Sequence, residues 1–222
     1  MTASPFHAPW LCRLARVFSD GQTPLYAVGG VVRNALMGLP ASDVDICGPA
    51  RPEAVVQLCA GTAVTARLRA AHFGTVELHL ADADGHHMAE YTTFRVDSYR
   101  GGHQPFAVRF ADTPQVDALR RDFSVNALYR PLGDDPDALA EVIDPTGGLI
   151  HLRQKVLHTV TPDPDLVFQD DGLRILRAAR FQAELDFTPT EALLASARKH
   201  ANLLTEIAME RHRNELTRLL TS

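Results

Sequence analysis

PLYAVGGVVRNALMGLPASDVDIC, residues 24–47, compresses a strand, a glycine turn, a helix and a second strand into one short stretch. The run PLYAV (24–28) is apolar and rich in strand-formers. Gly29-Gly30 break it. VVRNALMG then reads as a helix that Gly38 closes. SDVDICG (42–48) is a second strand, and it carries two aspartates.

Side chains at i and i+2 of a strand share a face, so Asp43 and Asp45 point the same way while Val44 and Ile46 point into a core. Two carboxylates about 6 Å apart repel by about 3 kcal/mol at an effective dielectric of about 20. Either solvent screens the pair, as on an exposed edge or turn, or a divalent cation sits between them. Hard oxygen ligands of this kind suit Mg²⁺. The glycines bear on the choice. Gly29 and Gly30 let backbone approach an anion, the start of the following helix offers unpaired N–H groups, and Arg33 lies in its first turn. A phosphate cradle followed closely by a carboxylate pair is the layout of a nucleotide-dependent enzyme.

Outward from this stretch, RPEAVVQLCAG (51–61) reads as a helix with Pro at its start. GTVELHLADADGHHMAEYTTF (74–94) alternates on both sides of Asp84-Gly85 and reads as a hairpin. RVDSYRGGHQP (95–105) reads as a mobile polar loop, with Ser98, Tyr99 and Arg100 solvated. PLGDDPDAL (131–139) reads as a second loop. VDALRRDFSVNALY (116–129) reads as a helix. Beyond DPTGG (144–148) the strand signals fade, and past TPDPD (161–165) the periods are helical.

The 222 residues are 45% hydrophobic and 22% charged, a globular composition with a packed core. A net charge of −5 argues against a dedicated nucleic-acid grip, though a local basic patch remains compatible with it. Cys12, Cys47 and Cys59 have no metal-binding spacing and suit a reducing compartment. His72 and His103 are not expected to be ligands. No leader or membrane-length apolar run stands out, so the expectation is a soluble cytoplasmic protein with no membrane partner.

Six segments, in order, resemble one family. VGGVVRNALMGLPASDVDI is similar to the signature of the tRNA nucleotidyltransferase/poly(A) polymerase family, in its bacterial-type class that adds CCA. HFGTVEL and AEYTTFR resemble its next strands, RRDFSVNAL (120–128) its nucleotide-sugar motif, and DPTGGLIHL the close of its head. DDGLRILRAARF (170–181) resembles the neck motif that reads the incoming base, and MERHRNEL (209–216) the helix after it. Three positions depart from the pattern, one of them Asp170 in place of the Glu that usually begins the neck motif, with the charge kept. Asn34 stands where the family usually has Asp, and Gly172 where it usually has Pro, a change expected to loosen the neck.

The resemblance implies an α+β fold. It consists of a nucleotidyltransferase (polymerase beta-like) head over 1–160, with a mixed sheet and flanking helices, followed by an all-α neck over 161–222. It implies transfer of CMP or AMP from CTP or ATP to a tRNA 3′ end by two Mg²⁺ ions. Asp43 and Asp45 would bind both metals, with Glu90 as the third carboxylate and Glu77 as its rival. Gly29, Gly30 and Arg33 would meet the triphosphate. Arg121, Asp122 and Asn126, expected on one helix, would meet phosphate and sugar. Asp171 and Arg174, spaced i, i+3, would share a helix face and form a hydrogen-bonding edge that accepts cytosine and adenine and rejects uracil and guanine. Arg177 would reach the triphosphate, and Arg180 would bind nucleotide or serve structure. The polar loop at 95–105 matches a flexible element associated with adding the terminal A. Members usually continue into body and tail domains that hold tRNA, so further C-terminal RNA-binding domains or a partner are expected. The alternatives are a poly(A) polymerase, a CC-adding or A-adding enzyme, or a nucleotide-binding module without turnover.

Overall fold

The structure is a computed structural model that describes residues 4–40, 43–83, 85–99, 105–133 and 141–221. Ser42, Asp84, Arg100, His103 and most of the loop at 131–139 lie outside the described residues. The chain divides into two compact units. The first is Met1–Val96, Arg109–Asp117 and Leu128–Pro145; the second is Asp97–Val108, Ala118–Ala127 and Thr146–Ser222.

The elements of the first unit are α1 (Pro9–Asp20), β1 (Leu25–Val28), α2 (Gly30–Met37), β2 (Asp45–Gly48), α3 (Pro52–Cys59), β3 (Val64–Ala70), β4 (Thr75–Asp82) and β5 (Gly85–Thr93). β6 (Arg95–Ser98) and β7 (Ala107–Phe110) form a separate two-stranded ribbon, so the first part of the expected polar loop is strand. α4 (Pro114–Ala118) and β8 (Tyr129–Leu132) follow. Six strands make one sheet in the order β3-β4-β5-β2-β1-β8. β2 and β5 are parallel; the other neighbours are antiparallel, so the sheet is mixed as expected.

One face of this sheet is packed. α1 places Leu11, Leu14, Ala15 and Phe18 on one stripe, all buried, and α3 adds Val55 and Cys59. Both helices pack on the sheet and on each other. Strand alternation supplies the rest: Val76, Leu78 and Leu80 from β4, and Ala89, Tyr91 and Thr93 from β5, are buried. The Tyr91 ring stacks on Phe18 at 5.6 Å. The Tyr91 and Thr93 hydroxyls both donate to the Ala50 carbonyl, at 3.0 and 2.7 Å, and fix the β2–α3 connection.

The helix expected over 116–129 is not formed. α4 ends at Ala118, a short 3-10 turn covers Ser124–Asn126, and β8 starts at Tyr129. Long-range bonds override the local helical pattern. Within the first unit, buried Asp117 accepts from the Tyr129 hydroxyl at 2.8 Å and from the Arg95 N–H at 3.2 Å. In the second unit Asp122 Oδ1 accepts from the N–H of Phe123 at 2.7 Å, a local bond that competes with helix.

The second unit contains α5 (Gly148–Gln154), β9 (Val156–Leu157), α6 (Pro164–Asp170), α7 (Leu173–Leu185), β10 (Thr188–Pro189), α8 (Glu191–Lys199) and α9 (Met209–Thr221). It is helical past residue 160, apart from the two residues of β10 paired with β9. Asp163 caps α6 through the Asp165 N–H at 3.0 Å, and Thr190 caps α8 through the Leu193 N–H at 3.2 Å. Phe123 meets Phe181 edge-on, with centroids 5.8 Å apart. Gly172 has a close-packing reason to be glycine: a Cβ there would approach Leu203 Cβ to 2.7 Å.

Gly48 is a comparable pinch point in the first unit. A Cβ would meet the Pro24 carbonyl oxygen at 2.7 Å and the Tyr91 hydroxyl at 3.1 Å. Gly48→Ala is expected to destabilise by about 2 kcal/mol. Gly133→Ala, in open space, should stay within about 0.5 kcal/mol of wild type. Urea unfolding of both variants checks the contrast.

Candidate active site

In the first unit the strand register builds a row of charged side chains. Asp45 on β2 lies opposite Glu90 on β5, Glu90 opposite Glu77 on β4, and Glu77 opposite Arg67 on β3. Directly paired residues share a face, and this face is the one opposite Tyr91 and Leu78. Asp45 and Glu90 are exposed. Asp43 is also exposed, in extended chain just before β2.

The two glutamates differ electrically. Arg69 pairs with Glu77 at 2.5 Å and His79 Nε2 lies 3.2 Å away. The Arg69 hydrogen bond, aided by His79, holds the Glu77 carboxyl below the usual range. Glu90 moves the other way. Burial pushes its carboxyl up, the charges of Asp45 and Glu77 add to that, and Arg95 opposes them. Glu77 is committed to two basic partners, whereas Glu90 faces a negative field.

Among the described residues no three His, Cys, Asp or Glu side chains converge as a ready-made metal site. The donor set still suits a hard divalent cation. It offers oxygen only, on an exposed face, with like charges that a cation would relieve.

The Gly-Gly turn sits where the sequence puts it. Gly29 has φ 77° and ψ −136°, which only glycine adopts cheaply, and it turns β1 into α2. Gly30 is the first helical residue. The Arg33 guanidinium folds back towards it, 3.7 Å from where a Cβ would stand. Arg33 is 4% exposed.

In the second unit Asp122, Asn126 and Arg177 come together. Asp122 Oδ2 accepts from Arg177 Nε at 2.8 Å, and Asp122 Oδ1 from Asn126 Nδ2 at 3.3 Å. Burial works against the Asp122 charge, but Arg177 and Arg174 outweigh it and hold the carboxyl down at about 2. Arg121 is half-buried in the turn after α4, so Arg121 and Asp122 do not lie on a helix. Arg177 also lies 3.6 Å from Glu215 of α9. Arg180 donates to Glu215 at 2.8 Å and to Glu184 at 2.7 Å.

Asp171 and Arg174 are not side by side on one helix. Asp171 precedes α7; its Oδ1 accepts from the Leu173 N–H at 3.1 Å, and its other oxygen accepts from Arg211 at 2.8 Å. Buried Arg174 donates to the carbonyls of Val167 at 3.1 Å and Arg120 at 2.6 Å, with Asp170 at 3.8 Å. Tyr99 is half-buried rather than solvated; burial pushes its hydroxyl up to about 12. Glu215 and Arg211 escape a reading that stops at local spacing. Their signal is the i, i+4 placement of the two on one face of MERHRNEL.

Comparison with known proteins finds two family models, a curated relative and two solved structures that match this chain. The family described as "Poly A polymerase head domain" matches residues 25–158, and that described as "Probable RNA and SrmB- binding site of polymerase A" matches residues 186–222. The CCA-adding enzyme of Latilactobacillus sakei subsp. sakei is 37% identical over 196 residues, covering 88% of this chain and 46% of that enzyme. The crystal structure of the Bacillus stearothermophilus CCA-adding enzyme in complex with CTP aligns with a TM-score of 0.79 at 30% identity, over 95% of this chain and 48% of that one. The Thermotoga maritima CCA-adding enzyme complexed with tRNA aligns with a TM-score of 0.74 at 27% identity, over 95% and 46%. The chain thus spans about half the length of the proteins it matches.

The low position of Asp122 makes a pH prediction. A depressed carboxyl stabilises the fold above its unfolded pKa, near 4, and that contribution is lost as pH falls through about 2. Asp122→Asn should cost on the order of 2 kcal/mol at neutral pH. The gap to wild type should narrow between about pH 4 and pH 2, as read by urea unfolding across that range.

Proposed function

Because this chain belongs to the poly(A) polymerase head-domain family, we propose that it is a template-independent RNA nucleotidyltransferase that adds CMP and AMP from CTP and ATP to the tRNA 3′ end. The observation that carries this reading is the pairing of Asp45 with Glu90 on an exposed sheet face, in the same unit as the Gly29-Gly30 helix start. The relatives bearing the name CCA-adding enzyme favour CCA as the product.

In the reaction the RNA 3′-oxygen attacks the α-phosphorus of the nucleotide. A new P–O bond forms, the bond to the bridging oxygen of pyrophosphate breaks, and the hydroxyl proton passes to solvent. Asp43 and Asp45 are the proposed metal ligands, with Glu90 as the third carboxylate. When bound, two Mg²⁺ ions would activate the 3′-hydroxyl and offset the charge of the triphosphate. Gly29, Gly30 and Arg33 receive the triphosphate through backbone N–H groups and a guanidinium. Glu77, already paired with Arg69 and His79, is the weaker candidate for the third carboxylate.

Residues 1–160 act as the catalytic head and 161–222 as the neck. Within the second unit Asp122, Asn126, Arg121, Arg177 and Arg180 serve nucleotide phosphate and sugar, directly or by holding one another. Asp171 and Arg174 read the base. A carboxylate accepts several hydrogen bonds, so Asp171 can take the exocyclic amine that cytosine and adenine share while keeping Arg211. No helix among the described residues is long and apolar enough to cross a membrane. The proposed setting is the cytoplasm, where uncompleted tRNA occurs.

Two measurements test this. The first is extension of a tRNA lacking CCA, with Mg²⁺ and CTP, ATP or both, at single-nucleotide resolution. Two C's and one A are the expected product; a long A ladder would make the enzyme a poly(A) polymerase, and CTP binding without extension would reduce it to a binding module. The second compares carboxylates. Asp43→Ala with Asp45→Ala should abolish transfer, Glu90→Gln should lower kcat at least about 100-fold, and Glu77→Gln less than about tenfold. A larger loss at Glu77 than at Glu90 would reverse the assignment.

A further inference from the structure

Beyond Glu77 the open face of the sheet changes sign. Arg67 of β3 stands directly opposite Glu77 of β4, yet Glu77 binds Arg69 and His79 instead. Arg67 is exposed and forms no ion pair among the described residues. Opposite charges that face each other across strands normally pair, so this cation is left to something other than the fold. A second feature adjoins it. His79 lies diagonally from Arg67 and directly opposite Met88 of β5. The His79 and His86 rings tilt together, with centroids 5.1 Å apart. His86 is exposed and Met88 is 55% exposed. Alternation puts His79, His86 and Met88 on the same face as Glu77 and Glu90. A cation beside exposed rings is the chemistry that holds single-stranded nucleic acid, phosphate on the charge and base on the ring.

The nucleotidyltransferase reading, on which this inference rests, says from which side RNA arrives. β1 and the Gly29-Gly30 turn that follows it lie on one side of β2; β5, β4 and β3 lie on the other. In an in-line displacement the attacking and leaving oxygens stand on opposite sides of phosphorus. With pyrophosphate leaving at Gly29-Gly30, the RNA 3′-oxygen arrives from the β5 side, over Glu90. Arg67 is three strand spacings from Asp45, about 14 Å, a distance that the last few stacked nucleotides of a strand cover. The Glu77 charge in between is already offset by Arg69 and His79. We infer that the open face shared by β3, β4 and β5 seats the single-stranded RNA 3′ end, with Arg67 on a backbone phosphate and His79 and His86 against a base.

The test is binding of a hairpin RNA with a short unpaired 3′ tail to the 222-residue protein, by fluorescence anisotropy over a range of salt, beside calorimetric binding of CTP. Arg67→Glu is expected to weaken the tailed RNA at least about tenfold and to flatten its log–log salt dependence by at least about 0.7. Its CTP affinity should stay within about twofold of wild type. His86→Ala should weaken the tailed RNA about fivefold with the salt slope unchanged. Arg16→Glu, the same charge change at an exposed position of α1, should act less than about twofold. If Arg67→Glu binds the tailed RNA like wild type, the inference is wrong, while CTP binding and tRNA extension keep the nucleotidyltransferase reading. An equal loss in Arg16→Glu, or on RNA without the tail, also overturns it, because net charge alone is then at work. Unchanged affinity in His86→Ala takes the rings out of the seat. A wild type that neither binds CTP nor extends RNA removes the reading of the site, and this inference with it.

Discussion

β2 and β5 lie side by side and run the same way in a sheet whose other neighbours are antiparallel. A parallel neighbour cannot be reached by a tight turn; the chain must cross over. Here the crossover is α3 followed by β3 and β4. It lays α3 beside α1 on one face, closes that face with apolar side chains, and leaves Asp45 and Glu90 exposed on the other. The register follows from what is buried. Tyr91 and Thr93 of β5 are 0% exposed and share the Ala50 carbonyl. A slip of one residue would drive Glu90 into the core and Tyr91 into water. The aromatic on the closed face thus fixes which carboxylate stands beside Asp45 on the open one.

The second unit solves a different electrostatic problem. Asp122, Arg177, Glu215, Arg180 and Glu184 alternate in sign, each within ion-pair distance of the next. Buried charges are tolerated when paired and hydrogen-bonded, and removal of one partner leaves the other uncompensated. Because this chain of charges starts in the turn after α4 and ends on α7, with Glu215 supplied by α9, it sets how those helices meet. Arg177 spans the turn and α9, so a nucleotide drawing on its charge would act on both contacts.

Local pattern carried most of the elements. Alternation wrote the β4–β5 hairpin, and glycine chemistry wrote both ends of α2. α1 shows an equally plain helical period at Leu11, Leu14, Ala15 and Phe18. The failures are places where partners far away in sequence decide. Nothing near residue 117 announces that its carboxylate will bind Tyr129 and Arg95 and stop a helix. Spacing placed Asp171 and Arg174 on one face, but Arg211, forty residues on, takes Asp171, and backbone carbonyls take Arg174. The glutamate beside Asp45 was open for the same reason. Parallel pairing between strands so far apart leaves no local signal, and only the register separates Glu90 from Glu77.

The two units together say where sequence is spent on stability and where it is not. In the second, the run from Asp122 to Glu184 interleaves opposite charges. In the first, Asp45, Glu90 and Glu77 stand in one row with the same sign, an arrangement that costs stability in a sheet. Arg69 and His79 offset it only at the Glu77 end. At the other end the field on Glu90 opposes its ionised form. A neutral or basic residue at Glu90 would relieve this row, since Glu90 is exposed and does not close the core. A row of like charges held in register by a buried aromatic on the opposite face is the arrangement that the proposed divalent cations would relieve.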